Sequence, residues 1–150
     1  MARDGSQFLN AHVFPGGQAE ASDQGNIQRT ALRELYEEAS IHLHPASVPR
    51  RVIPRAVTVN TTQTPFSQYL QKSREQLAEH QLIPYSRWIT PKLMPKRFDT
   101  IFYFALAMPS DNPVEGKVDA KEIKSLTWMT PSQALSEFNR GGITLFPPQW

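Results

Sequence analysis

Apolar and polar positions alternate along this chain in two periods, and the switch between them marks the elements. "AHVF" (11–14) is predicted to be a short strand running into the turn "PGG". Residues 26–40 carry apolar positions at helical spacing and form the first predicted helix. "AVTVN" (56–60) is β-branched and alternating, as a strand is. In "FSQYLQKSREQLAEHQ" (66–81), Phe66, Tyr69, Leu70 and Leu77 recur at helical spacing and predict an amphipathic helix. "FDTIFYFALAM" (98–108) is almost unbroken apolar and aromatic, the pattern of a strand buried on both faces. "IKSLTWM" (123–129) reads as another strand. A third helix follows it. Thr130 caps it, Pro131 suits its first turn and Gly141-Gly142 end it. Strands interleaved with three helices predict an α/β fold with helices against a mixed sheet.

Composition narrows the chemistry. A chain of 150 residues is expected to form a single domain with a real core. It has 13 prolines and no cysteine, so disulfides, thiolate metal sites and cysteine nucleophiles are excluded. A net charge of +2 is too small to argue for nucleic acid. No apolar run approaches the ~18 residues of a membrane span. The start, "MARDGSQFLN", lacks the apolar core of a signal peptide, and the final "PPQW" matches no Ser-Lys-Leu peroxisomal address.

The unusual stretch is "TALRELYEEAS" (30–40), which crowds Glu34, Glu37 and Glu38 onto one helix. At about 100° per residue these three span an arc of roughly 100°, with Leu32, Leu35 and Ala39 opposite. One face is expected to pack on the sheet while the other presents carboxylates. Arg33 lies four residues before Glu37 and is placed to brace it. Like charges at this spacing repel, so either water screens them on an idle surface or a cation sits among them. Clustered carboxylates suit a hard divalent ion such as Mg²⁺ or Mn²⁺. The adjoining Gly16-Gly17 turn brings backbone close to whatever the helix holds.

"FPGGQAEASD…RELYEEASI" resembles the signature of the Nudix hydrolases, which cleave nucleoside diphosphates linked to another group. The family pattern is Gly, five residues, Glu, seven residues, then Arg-Glu-apolar-x-Glu-Glu-x-Gly-apolar. Here Gly17 and five residues lead to Asp23, nine residues follow, and Arg33 to Ile41 run in register. Asp23 replaces Glu, two residues are inserted, and Ser40 stands where the family has Gly. The resemblance implies a Nudix α/β/α sandwich. It implies Glu34 and Glu38 as direct metal ligands, with Glu37 joining them or acting through water, and Arg33 orienting a glutamate. The general base is a box glutamate or an acid from a later loop, for which Glu122 is a candidate.

"AHVFPGG", "RWITPKLMPKRFDTIFYFAL" and "EIKSLTWMTPSQAL…GGITLFPPQ" resemble the coenzyme A and acyl-coenzyme A diphosphatase branch, of the eukaryotic peroxisomal and mitochondrial type. That branch carries a coenzyme A motif before "FPGG". Here only Ala2 and the "FPGG" end match it; Met1, Ser6 and Asn10 occupy the positions of its two arginines and its glycine. The early strand is expected to be missing and the chain to be a shortened domain. Two functions follow as expectations. One is a metal-dependent diphosphatase acting on coenzyme A, acyl-coenzyme A or a related small-molecule diphosphate. The other is a catalytically silent Nudix-fold module that binds a nucleotide or protein.

Smaller features have competing readings. "PRRVIPR" (49–55), Lys92, Lys96 and Arg97 are either phosphate contacts or a solvated basic surface. His42 and His44 read as surface histidines, too few for zinc. Phe102, Tyr103 and Phe104 read as core residues able to touch an adenine ring, and Trp88 and Trp128 as packing residues.

Overall fold

The structure, a computed structural model, describes residues 2–3, 11–43, 57–59, 65–68, 79, 82–105 and 123–149. Fully within the described residues lie six strands, β1 (Ala2–Arg3), β2 (Ile41–Leu43), β3 (Val57–Val59), β4 (Ile83–Ile89), β5 (Asp99–Phe104) and β6 (Ile123–Ser125), and two α-helices, α1 (Ile27–Ala39) and α2 (Pro131–Asn139). The strands form three antiparallel ladders, β1–β6, β2–β3 and β4–β5. An isolated parallel bridge, outside these ladders, joins Ala11 to Thr144.

Helix α1 begins where local chemistry starts it. The Asn26 side chain accepts hydrogen bonds from the backbone N–H of Gln28 (3.0 Å) and Arg29 (3.2 Å), pairing donors the helix cannot satisfy itself. The Asn26 amide also donates to Glu79 at 2.8 Å. The helix ends at Ser40, which adopts the left-handed conformation at φ 55°. The polypeptide then enters β2 directly. Leu32, Ala39, Ile41, Leu43 and Leu82 form the core cluster, with Ala31, Leu35, Tyr103 and Leu126 packed against it. The apolar face predicted for the helix is therefore the face that packs.

Helix α2 follows its punctuation. Thr130 accepts from Gln133 N (3.2 Å), the Gln133 side chain accepts from Thr130 N (2.8 Å), and Gly141 takes φ 75°.

Several expectations are corrected. Among the described residues, "AHVF" contributes only the bridge positions Ala11 and His12, with Ala11 paired to Thr144. The strand predicted over 98–108 is not buried on both faces. β5 pairs only with β4 among the described residues, and its residues are half-buried or exposed. Tyr103 meets the core, whereas Phe104 is 52% exposed. Trp88 and Trp128 are exposed, not packing residues. His42 is buried, because it sits mid-strand in β2 against α1. An N-terminal strand exists in brief as β1, paired to β6. Of the predicted helix at 66–81, residues 66–68 are helical and 69–78, 80 and 81 lie outside the described residues. Segment 49–55, His44 and Glu122 lie outside them too.

Candidate active site

Arg33 organises the site although it is almost wholly buried, at 4% exposure. Its guanidinium meets acceptors in three directions. Nε donates to Asp23 Oδ1 (3.0 Å) and Nη2 to Asp23 Oδ2 (3.1 Å), a two-pronged pair. Nη2 also donates to the Gln18 carbonyl (2.9 Å). Nη1 reaches Glu37 Oε2 (2.9 Å) and Glu34 Oε1 (3.0 Å). Burial works against the charge on Arg33, but the hydrogen bonds to Asp23 and Glu37 and the attraction of Glu34 outweigh it and hold its pKa above the ordinary value.

Asp23 is 1% exposed, and it is no solvent-facing acid. Its Oδ2 accepts from Glu20 N and Thr30 Oγ1, both at 2.9 Å, in addition to Arg33. Burial pushes this carboxyl up, and the hydrogen bonds from Arg33, Glu20 and Thr30 overcome that and hold it below the usual range. The two inserted residues fall in the loop between Asp23 and α1. There Gln24 (φ 55°) and Gly25 (φ 73°) both turn left-handed, and the Gln24 side chain accepts from Arg29 Nη1 of the helix at 3.1 Å.

The three glutamates do not share one environment. Glu38 is 5% exposed and its Oε2 accepts from Gly16 N at 2.9 Å. Glu37 is partly exposed and bound to Arg33. Glu34 lies between them, its carboxylate against Gly17. A Cβ placed on Gly17 would stand 2.5 Å from Glu34 Cδ and 2.7 Å from Oε2, so only glycine admits this approach. Burial raises the Glu34 pKa; Arg33 opposes the rise and the carboxylates of Glu38 and Glu37 add to it. The three carboxylates predicted to share one face are unequally exposed, because the turn "PGG" closes over Glu38 and Glu34 and leaves Glu37 outside it. Among the described residues, no three His, Asp or Glu side chains converge closely enough to hold a metal ion.

On the flank of Arg33 bearing Glu37, a cleft of about 480 Å³ opens between the 20–24 loop, Arg29 and Phe66. Arg97 is elsewhere in its bonding: its Nε donates to the Thr90 carbonyl (3.0 Å) at the end of the β4–β5 hairpin. Lys96 lies over the Phe98 ring at 5.2 Å. The structural role of Asp23 went unread in the sequence, and its one signal was the spacing from Gly17 to an acid.

A fold in which a glycine turn closes on an Arg-Glu-x-x-Glu-Glu helix defines a class, and the chain belongs to it: the Nudix hydrolase family. More narrowly, residues 27–150 match the family model described as the NUDT19 Nudix domain. The chain is 31% identical over 151 residues to "Putative nudix hydrolase 7" of Caenorhabditis elegans, covering 93% of this chain and 48% of that protein. It is 31% identical over 93 residues to "Acyl-coenzyme A diphosphatase NUDT19" of Xenopus laevis, covering 56% of this chain and 23% of that protein. The chain thus spans about half the length of the first relative and less of the second. The crystal structure of a Nudix hydrolase from Alicyclobacillus acidocaldarius superposes with a TM-score of 0.65 at 19% identity, covering 95% of this chain and 74% of that one. It shares the fold.

Proposed function

We propose that this chain hydrolyses a diphosphate linkage in coenzyme A, an acyl-coenzyme A or a related nucleotide, with Mg²⁺ or Mn²⁺ as cofactor. The observation that carries this reading is the closure of Gly16-Gly17 over Glu38 and Glu34. It gathers two largely buried carboxylates beside a gap only glycine leaves.

Nudix hydrolases are generally dependent on divalent metals, and the donor set here fits one. Glu34 and Glu38 would hold the ion, with Glu37 joining on release from Arg33. Carboxylate oxygens suit hard cations, and a cation would favour the charged form of Glu34, whose pKa burial chiefly raises with smaller additions from Glu38 and Glu37. When bound, such an ion polarises a phosphoryl oxygen and acidifies a water. The protein's residues do the rest. Gly16 N fixes the Glu38 carboxylate. Arg33 is spent on Asp23, Glu34 and Glu37, so it positions carboxylates and does not touch substrate. A glutamate of the Arg-Glu-x-x-Glu-Glu helix would take the proton of the attacking water. Glu122 is an alternative for that step.

The coenzyme A assignment is supported by the activity for which the frog relative is named. A peroxisomal or mitochondrial setting accompanies it through the branch resemblance. The second reading is a silent module. It draws on Glu37 being tied to Arg33 and on the absence of a ready-made three-acid cage among the described residues. Incubation with coenzyme A and acyl-coenzyme A plus Mg²⁺ or Mn²⁺, with products resolved by chromatography, separates the two. Release of 3′,5′-ADP and a phosphopantetheine supports the diphosphatase. Metal binding by a folded chain without any turnover supports the module.

A further inference from the structure

Among the described residues, the β4–β5 hairpin is largely exposed and meets the core cluster through Tyr103 alone. Tyr103 points to the core cluster. Alternate residues point the other way, so Thr100, Phe102 and Phe104 share the outer face. Trp88 pairs with Thr100 and joins them. Tyr85 is the extra residue at the register shift between Pro84 and Ser86, and its ring lies 4.3 Å from that of Phe104. At the far side Phe14 meets Phe102 edge to face at 6.1 Å. Phe14, Tyr85, Trp88 and Phe104 are 59%, 65%, 42% and 52% exposed. Four large exposed aromatics on one surface are more than solvent tolerates without a reason.

This surface is continuous with the carboxylate site. Phe14 stands two residues before Gly16, at most about 7 Å along the chain, and Gly16 N holds Glu38. We infer that Phe14, Phe102, Phe104, Tyr85 and Trp88 form a ledge that stacks the nucleobase of the substrate while its diphosphate lies at Glu34 and Glu38. A planar heteroaromatic ring is the ligand part such a surface recognises. The exposed large apolar side chains on this face are aromatic apart from Ile83, which pairs with Phe104, and aromatic surface is what a nucleobase stacks on. The ligand class rests on the diphosphatase reading above.

The test uses the whole chain with Mg²⁺ and two probes, ADP and inorganic diphosphate. Phe14→Leu and Trp88→Leu keep apolar bulk and remove a π face at exposed positions, and matching unfolding curves verify their fold. Calorimetric titration is expected to show ADP affinity falling about five- to a hundredfold in each variant, the loss of one stacked base, with diphosphate affinity unchanged. Saturation-transfer NMR on the wild type is expected to be strongest at adenine H2 and H8. Unchanged ADP affinity in both variants, transfer concentrated on the ribose, or no ADP binding by the folded wild type overturns the ledge. Intact diphosphate binding in those cases leaves the diphosphatase reading standing; its loss in every protein removes that reading as well.

Discussion

Arg33 and Asp23 grip each other through two nitrogens and two oxygens, at 3.0 and 3.1 Å, with both side chains almost out of water. The pair ties the loop before α1 to the helix that carries the glutamates. Asp23→Asn is expected to destabilise the fold by roughly 2–3 kcal/mol, less than the usual 3–5 for breaking a buried pair because Arg33 keeps Glu34 and Glu37. The sign with pH follows from the lowered Asp23 pKa. Its stabilisation is present above the unfolded carboxyl pKa and is lost as pH falls through the folded one. Urea unfolding at neutral pH and near pH 3 checks this, and the gap between wild type and variant should narrow at low pH. A constant gap contradicts the pair.

Glu34 has the opposite sign. Its pKa is raised, chiefly by burial, so its charged form costs stability as pH climbs through the unfolded and then the folded value. In metal-free protein, Glu34→Gln should gain stability relative to wild type between pH 4 and pH 7. Thermal melts in chelator report it. A relative loss over that range would show that Arg33 dominates the Glu34 environment.

Gly17→Ala separates fold from site. The atom that an added methyl meets is the mobile end of Glu34, so the carboxylate swings away at small cost. Stability should change by about 1 kcal/mol or less, while metal-dependent hydrolysis falls at least tenfold through displacement of a ligand. Full activity in this variant would detach the turn from the site.

Ser40→Gly tests the departure at the helix end. Ser40 holds φ 55°, a conformation glycine adopts without a Cβ penalty. The substitution should stabilise the fold by about 0.5–1 kcal/mol, since relief of left-handed strain exceeds glycine's added unfolded-state entropy. Hydrolysis should be unaffected. A destabilised variant would mean the Ser40 side chain contributes more than its conformation costs.

We propose that residues 1–150 fold as one domain. Calorimetry should then show one transition with an enthalpy on the order of 100 kcal/mol. Two transitions, or a much smaller enthalpy, would show that part of the chain does not fold with the rest.

What the sequence revealed and what it hid divide along physical lines. Helix α1 was readable because its cap, apolar stripe and end are local signals within 15 residues. The same is true of Thr130 and Gly141 around α2. Strand β4 was not readable: "IPYSRWI" carries Pro84 and Arg87, and it becomes a strand through its ladder with β5 and the Arg87–Asp99 pair. The burial of Arg33 was hidden for a similar reason. Glu37 was placed by helical spacing, but Gln18 and Asp23 come from a loop that only the fold brings to the helix. The three glutamates read as equivalent by helical geometry, yet Gly16 and Gly17 make them unequal.

The central claim is that the carboxylates under the glycine turn carry out hydrolysis. It is tested most directly by coenzyme A turnover with Mg²⁺ or Mn²⁺ in wild type and Glu38→Gln, side by side. The variant keeps an oxygen for Gly16 N and should melt as wild type does. Its turnover should fall by about a hundredfold or more, the scale of a lost metal contact. Turnover near wild type in the folded variant would contradict the claim.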